Sequence, residues 1–183
     1  MSSGYQIRDQ FAAHFVTPSI VDWVDVLTRQ AYRDIIIDTL NYYITNRGLK
    51  VYGYVIMTNH LHMIVQSEAG RLSDTLRDFK KFSSATIVKA VISGGESRRE
   101  WMLHRFEWNA GQNQRSSNHQ LWTHENHPEE VRSLDFFNQK LNYIHQNPVR
   151  AGWVRYAEDW LYSSAGTILR GWPGLVPISD WIY

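Results

Sequence analysis

Residues 51–66 read VYGYVIMTNHLHMIVQ, and this stretch limits the possible folds more than any other. Two apolar, β-branched and aromatic runs flank Thr58-Asn59, a turn-forming pair, so the segment is expected to form two short strands and a tight reversal. Side chains alternate across a strand, so His60 and His62 leave the sheet on one face. Leu61, Met63 and Val65 leave on the other, where they can be buried. An H-x-H pair on such a strand has two readings. It presents two imidazole nitrogens side by side, as metal ligands require, or it lines the polar face of a half-exposed strand.

The surrounding chain supplies helices for that hairpin. His14-Phe15-Val16-Thr17 is a candidate first strand ended by Pro18. Residues 21–27 suit a short helix or turn. Residues 31–46 carry Ile35, Ile36, Leu40, Tyr43 and Ile44 at helical spacing, and Asn46-Arg47-Gly48 is a stop signal. A second helix is expected over 72–91, capped by Ser73-Asp74, with Leu72, Leu76, Phe79, Phe82 or Ser83, Thr86 or Ile87, and Ala90 turned inward. Its Arg77, Lys80, Lys81 and Lys89 form either a solvated face or a phosphate-contacting one. Residues 101–108 suit a helix, 109–118 a polar loop containing Arg115, and 120–123 a strand. His124, His127 and their neighbours suit a polar turn before Pro128-Glu129-Glu130.

A chain of 183 residues is most simply one domain, 1–183, here with an irregular tail from about residue 165. It has no cysteine, which removes disulfides and thiolate metal sites. No apolar run has membrane-spanning length and no signal-peptide pattern is visible, so a cytoplasmic protein is expected. The net charge of +1 does not advertise nucleic-acid binding, so any such surface has to be a local basic patch.

A second cluster of chemical interest lies near the C-terminus. Residues 133–147 read as a helix with Leu134, Phe137, Leu141 and Ile144 as its buried stripe. Tyr143 lies off that stripe, Asn147 is one turn further along the same face, and Pro148 is expected to stop the helix. A tyrosine is a competent nucleophile once its phenol is deprotonated or polarised. An asparagine offers a carbonyl oxygen to a metal or a substrate. The plainer readings are a packing tyrosine and a helix-terminus asparagine. His145, two residues past Tyr143, points far around the helix and is read as structural or as a DNA contact rather than a general base.

Taken together, these segments resemble a known family. Residues 54–65, YVIMTNHLHMIV, resemble the HUH motif of single-tyrosine transposases, in which U is a bulky hydrophobic residue. Residues 143–154, YIHQNPVRAGWV, are similar to the tyrosine motif of the REP-associated branch, whose members act on palindromic repeat hairpins. Residues 160–165, WLYSSA, look like the short motif that follows it there. Two features depart from common patterns: Thr58 precedes Asn-His where proline is frequent, and Asn147 stands where many insertion-sequence relatives have glutamine.

The resemblance implies an α+β fold, a ferredoxin-like antiparallel sheet with helices packed on one face. It implies that His60, His62 and Asn147 hold one divalent ion, Mg²⁺ or Mn²⁺, and that Tyr143 attacks a phosphodiester of single-stranded or hairpin DNA. The product would be a 5′-phosphotyrosine and a free 3′-hydroxyl, able to rejoin strands. Arg77, Lys80, Lys81, Arg115, Arg150 and Arg155 are the candidate DNA contacts. Either a homodimer or a monomer fits the family. Two other functions are compatible with the residues: a hairpin-binding protein that no longer cleaves, and a hydrolytic metal-dependent nuclease.

Overall fold

The computed structural model describes residues 6–112 and 118–181. Four strands form one antiparallel sheet: β1 (His14–Val16), β2 (Leu49–Ile56), β3 (Leu61–Ser67) and β4 (Glu129–Glu130), in the order β2-β3-β1-β4. Helices α1 (Gln30–Arg47) and α2 (Leu72–Ser93) connect them, followed by α3 (Arg99–Gln112), α4 (Leu134–Arg150) and the short α5 (Ala165–Arg170). The β-α-β-β-α opening and this strand order are those of a ferredoxin-like sheet, as expected.

The hairpin of β2 and β3 closes where the Met57 N–H donates to the His60 carbonyl at 2.9 Å. A bulge between Val51 and Gly53 shifts the register. The shift leaves Leu49, Val51, Tyr54 and Ile56 on one face, with Tyr52, Val55 and Met57 on the other. The first face, joined by Val16, Leu61, Met63 and Val65, packs on Ile36 and Leu40 of α1 and on Leu76 and Phe79 of α2. Alternation therefore buries Leu61, Met63 and Val65 as their spacing predicts.

The expectation of helices on one face describes α1 and α2, and α4 adds a layer on the other. Its Phe137 and Ile144 join Phe15, Tyr52, Val55 and Ile64 in a second apolar cluster. Ser133 caps α4, its hydroxyl accepting from the Phe136 N–H at 3.2 Å. Two details of α4 differ from the sequence reading. Leu134 is 52% exposed, because the first turn starts beyond the second cluster. Pro148 lies inside the helix, which runs to Arg150. Near a helix end the missing proline N–H removes only the bond to the Ile144 carbonyl, so the last turn survives.

The predicted α1 is present, closed by Gly48 at φ 62°, whose N–H donates to the Tyr43 carbonyl. At the start of α2, Ser73 and Asp74 make no side-chain cap; the Ser73 N–H instead donates to Gln10 Oε1 at 2.8 Å. Helix α3 continues through 109–112, which composition marked as loop. The segment expected as a strand at 120–123 contributes a single bridge, Trp122 to Ile20, whereas the acidic pair 129–130 forms the edge strand.

The motif at 160–165 covers the free edge of β2. The Ile56 N–H donates to the Tyr162 carbonyl at 2.9 Å, and the Ser164 N–H to the Tyr54 carbonyl at 3.0 Å. The tail expected to be irregular from about 165 begins with α5, and further on its Trp181 ring stacks on Phe137. Among the described residues no helix is long and apolar enough to cross a membrane.

Candidate active site

His60 and His62 lie at the start of β3, beside the hairpin turn, and their ring centroids are 4.7 Å apart. Each is oriented through its Nδ1. His60 Nδ1 is 2.7 Å from Asn59 Oδ1, a carbonyl oxygen that can only accept, so His60 carries its proton there and leaves Nε2 with a free lone pair. His62 Nδ1 is 2.9 Å from Thr17 Oγ1. Burial pushes His60 down to about 4. Burial, followed by the positive charges of His60, Lys140 and Arg150, pushes His62 down to about 3. Both imidazoles are thus neutral at physiological pH, the form that ligates metals.

Helix α4 delivers the tyrosine to this pair. The Tyr143 ring meets His62 edge-on, with centroids 5.0 Å apart, and also meets Phe15 at 6.0 Å. It is 37% exposed, so the phenol is packed on one side and open on the other. Lys140, Tyr143, Asn147 and Arg150 follow an i, i+3, i+7, i+10 spacing and share a helix face. The Arg150 guanidinium lies 4.9 Å from the Tyr143 ring centroid. Lys140 Nζ lies 4.4 Å from the Phe15 ring centroid and 2.6 Å from Glu129 Oε1.

No family model and no curated protein sequence matches the chain. A solved structure does: a REP-associated tyrosine transposase bound to a REP hairpin, at 19% identity over 98% of this chain and 93% of that one, with a TM-score of 0.63. The two chains share one fold. The resemblance carried by the two motifs therefore holds for the architecture of the whole chain.

Within that fold the predicted residues divide into three groups. His60, His62, Tyr143 and Arg150 come together on the α4 side of the sheet. Asn147 is on the same helix face; its Nδ2 donates to the Tyr143 carbonyl at 3.1 Å, so its carboxamide oxygen faces the other way around the amide. No hydrogen bond joins Asn147 to either imidazole.

Arg77, Lys80 and Lys81 belong to α2, which covers the opposite face of the sheet. Arg77 is paired with Asp74 and Asp78. Lys80 departs most from expectation. Its ammonium donates to the carbonyls of Thr123 (2.7 Å) and His124 (3.0 Å) and to Asn126 Oδ1 (2.9 Å), one acceptor for each N–H. Burial pushes it down to about 8, so it remains charged at neutral pH. Lys80 fastens the loop after α3, with its three N–H donors engaged by oxygens of the protein. Arg155 is exposed beside Tyr156. Arg115 lies outside the described residues.

Of the two readings of His145, the structure matches the structural one. It is buried, pushed down to about 4 by burial, and its Nε2 sits 2.9 Å from Ser164 Oγ. The same hydroxyl accepts from the Tyr54 N–H at 3.0 Å. His145 thereby ties the tyrosine helix to β2. Thr17, Asn59, Phe15 and Lys140 also shape the site and were not found by sequence reasoning. Asn59 is the one with a readable signal, since it adjoins the first histidine.

The donor set fits a divalent ion in one respect. Both histidines have Nδ1 engaged by an oxygen of the protein, the arrangement that aims a ligating Nε2. Among the described residues no group of three or more His, Asp or Glu side chains could hold a metal. Two imidazoles and an amide oxygen would therefore leave several positions for water and phosphate oxygens, which suits Mg²⁺ or Mn²⁺.

Proposed function

We propose that this chain is a REP-associated-type tyrosine transposase that nicks and joins single-stranded or hairpin DNA through Tyr143. The observation that carries the reading is the edge contact between the Tyr143 and His62 rings within one polypeptide, with the phenol exposed on its outer side. It is supported by the fold shared with a solved structure that is bound to a REP hairpin.

In this mechanism the Tyr143 oxygen attacks the phosphorus of a DNA phosphodiester. The O–P bond to tyrosine forms as the P–O3′ bond breaks, the phenol proton is released, and the departing 3′-oxygen takes up a proton. The protein then holds a 5′-phosphotyrosine. Because no water is consumed, the reverse attack by a 3′-hydroxyl reseals a strand. His60 and His62, with the Asn147 carboxamide oxygen, would hold the divalent ion, Mg²⁺ or Mn²⁺. When bound, that ion supplies Lewis-acid polarisation of a non-bridging phosphate oxygen. Arg150 restrains the Tyr143 ring and adds a positive charge where the phosphate arrives. Thr17 and Asn59 keep the two imidazoles aimed. The Tyr143–His62 contact within one chain supports a reading in which a monomer carries out the chemistry.

The test is incubation with a labelled single-stranded hairpin and Mn²⁺, followed by a denaturing gel. A covalent protein–DNA adduct that disappears in Tyr143→Phe is expected. Cleavage surviving in that variant would instead identify a hydrolytic nuclease, and hairpin binding without any cleavage would identify a binding protein.

A further inference from the structure

Trp23 is the most exposed tryptophan described, at 66%, and it borders the candidate site. Its ring meets His60 edge-on at 6.0 Å. Four rings therefore run in sequence, Trp23, His60, His62 and Tyr143, with successive centroids 6.0, 4.7 and 5.0 Å apart. The two end rings are open to solvent; of the two imidazoles between them, His62 is buried and His60 half-buried.

The outward pose of Trp23 is imposed by its surroundings. Asp22 and Trp23 both have left-handed backbone, at φ 51° and 55°, where non-glycine residues are strained. Two asparagines hold them there. Asn59, which orients His60, donates from Nδ2 to the Trp23 carbonyl at 3.3 Å. Asn109 on α3 donates to Asp22 Oδ2 at 2.9 Å, and Arg105 Nη1 lies 3.8 Å from the same oxygen. The Asp22 carboxylate is thus offset by Arg105, and the neighbouring Asp25 by Arg98 at 2.6 Å, which lowers the local repulsion toward a polyanion. An indole kept in water by strained, braced backbone at the rim of a nucleic-acid site suits base stacking.

We propose that Trp23 is a stacking platform for an unpaired nucleobase of the strand whose phosphodiester reaches Tyr143, with Asp22, Asn59 and Asn109 as its positioning residues. This rests on the single-stranded DNA reading above. Stacking accepts any base face, so Trp23 sets strand position and not sequence preference. The Asn59 side chain links platform and histidine, so an occupied Trp23 and an aimed His60 belong to one arrangement.

The experiment measures single-stranded oligonucleotide affinity by fluorescence anisotropy in a Tyr143→Phe background. Trp23→Ala and Trp23→Asn are compared with Trp23→Phe; asparagine tolerates the left-handed backbone without a ring. The ring-less variants should bind about 5- to 100-fold more weakly, with Trp23→Phe recovering much of the loss and thermal midpoints not lowered. In an abasic scan of the oligonucleotide, one position should abolish the difference between Trp23 and Trp23→Ala, as a double-mutant cycle requires for direct contact. Equal affinities, or a difference that persists at every abasic position, would overturn the platform. Adduct formation by the chain with Tyr143 intact, together with Trp23-independent binding in the Tyr143→Phe background, would sink the platform alone. Trp23-dependent binding with no adduct would sink the strand-transfer reading and leave the platform standing.

Discussion

Gly53→Ala tests whether close seating of the tyrosine helix makes the site. Gly53 lies at the β2 bulge, and a Cβ there would fall deep inside the van der Waals envelope of Leu141 Cδ1, with Ser164 Oγ at an ordinary 3.6 Å. Reaching normal carbon–carbon contact of about 3.5 Å takes a shift of roughly 1 Å. Leu141 can absorb part of it by leaving its rotamer, at about 0.5–1.5 kcal/mol. Otherwise α4 lifts from the sheet, and Tyr143, two residues further on, lifts with it. Overpacking of this kind costs about 1–3 kcal/mol, while a displacement near 1 Å at a reacting group can lower rate about 100-fold. Urea unfolding and single-turnover adduct formation are to be measured together. The expected result is a modest stability loss with a disproportionate rate loss. Leu141→Ala, placed in the Gly53→Ala background, should restore rate more than stability, since it removes the obstruction but leaves less buried surface. If Gly53→Ala forms adduct at the unsubstituted rate while losing stability, Leu141 has yielded alone. The idea that Gly53 sets the Tyr143–His62 approach would then be wrong.

Three further outcomes are expected. Thr17→Val keeps shape but removes the partner of His62 Nδ1; Mn²⁺ affinity by isothermal titration should fall about 10- to 100-fold, and unchanged affinity would exclude His62 Nε2 as a ligand aimed from Thr17. Lys80→Met should lower stability by about 2–4 kcal/mol, because it strands three acceptors, yet leave hairpin affinity intact; a selective loss of affinity would return Lys80 to the DNA surface. His145 is held near 4 when folded, below its unfolded 6.5, so the unfolded chain binds the extra proton. Stability is fully present above 6.5 and is lost as pH falls toward 4, by about 2 kcal/mol at pH 5 from this residue. His60 and His62 act in the same direction. Denaturant midpoints compared at pH 7.5 and pH 5 should show the loss, and His145→Gln should remove its share of the slope.

What the sequence revealed, and what it concealed, follows the range over which each interaction acts. The hairpin, α1 and α4 were legible because alternation and helical spacing are written within one element, and Leu61, Met63 and Val65 went where alternation sends them. Helix α3 was half-read because residues 109–112 are too polar to carry a stripe, although Asn109 there braces Asp22 across 87 positions. The strand at 129–130 is two charged residues long, and only its pairing with β1 reveals it. Lys80 shows the same limit from the other side. As a basic residue on a helix it looked like a phosphate contact, and its three partners lie more than forty positions away. The candidate site residues stood out through the resemblance of two motifs, since His60, His62, Tyr143 and Asn147 taken alone left plainer readings open. Their supports, Thr17, Asn59, Lys140 and Gly53, are of ordinary types that matter only by location. That asymmetry places the decisive tests on the supports. Substituting Tyr143 asks only whether a nucleophile is needed, whereas Thr17, Asn59 and Gly53 ask whether this arrangement, and no looser one, performs the chemistry.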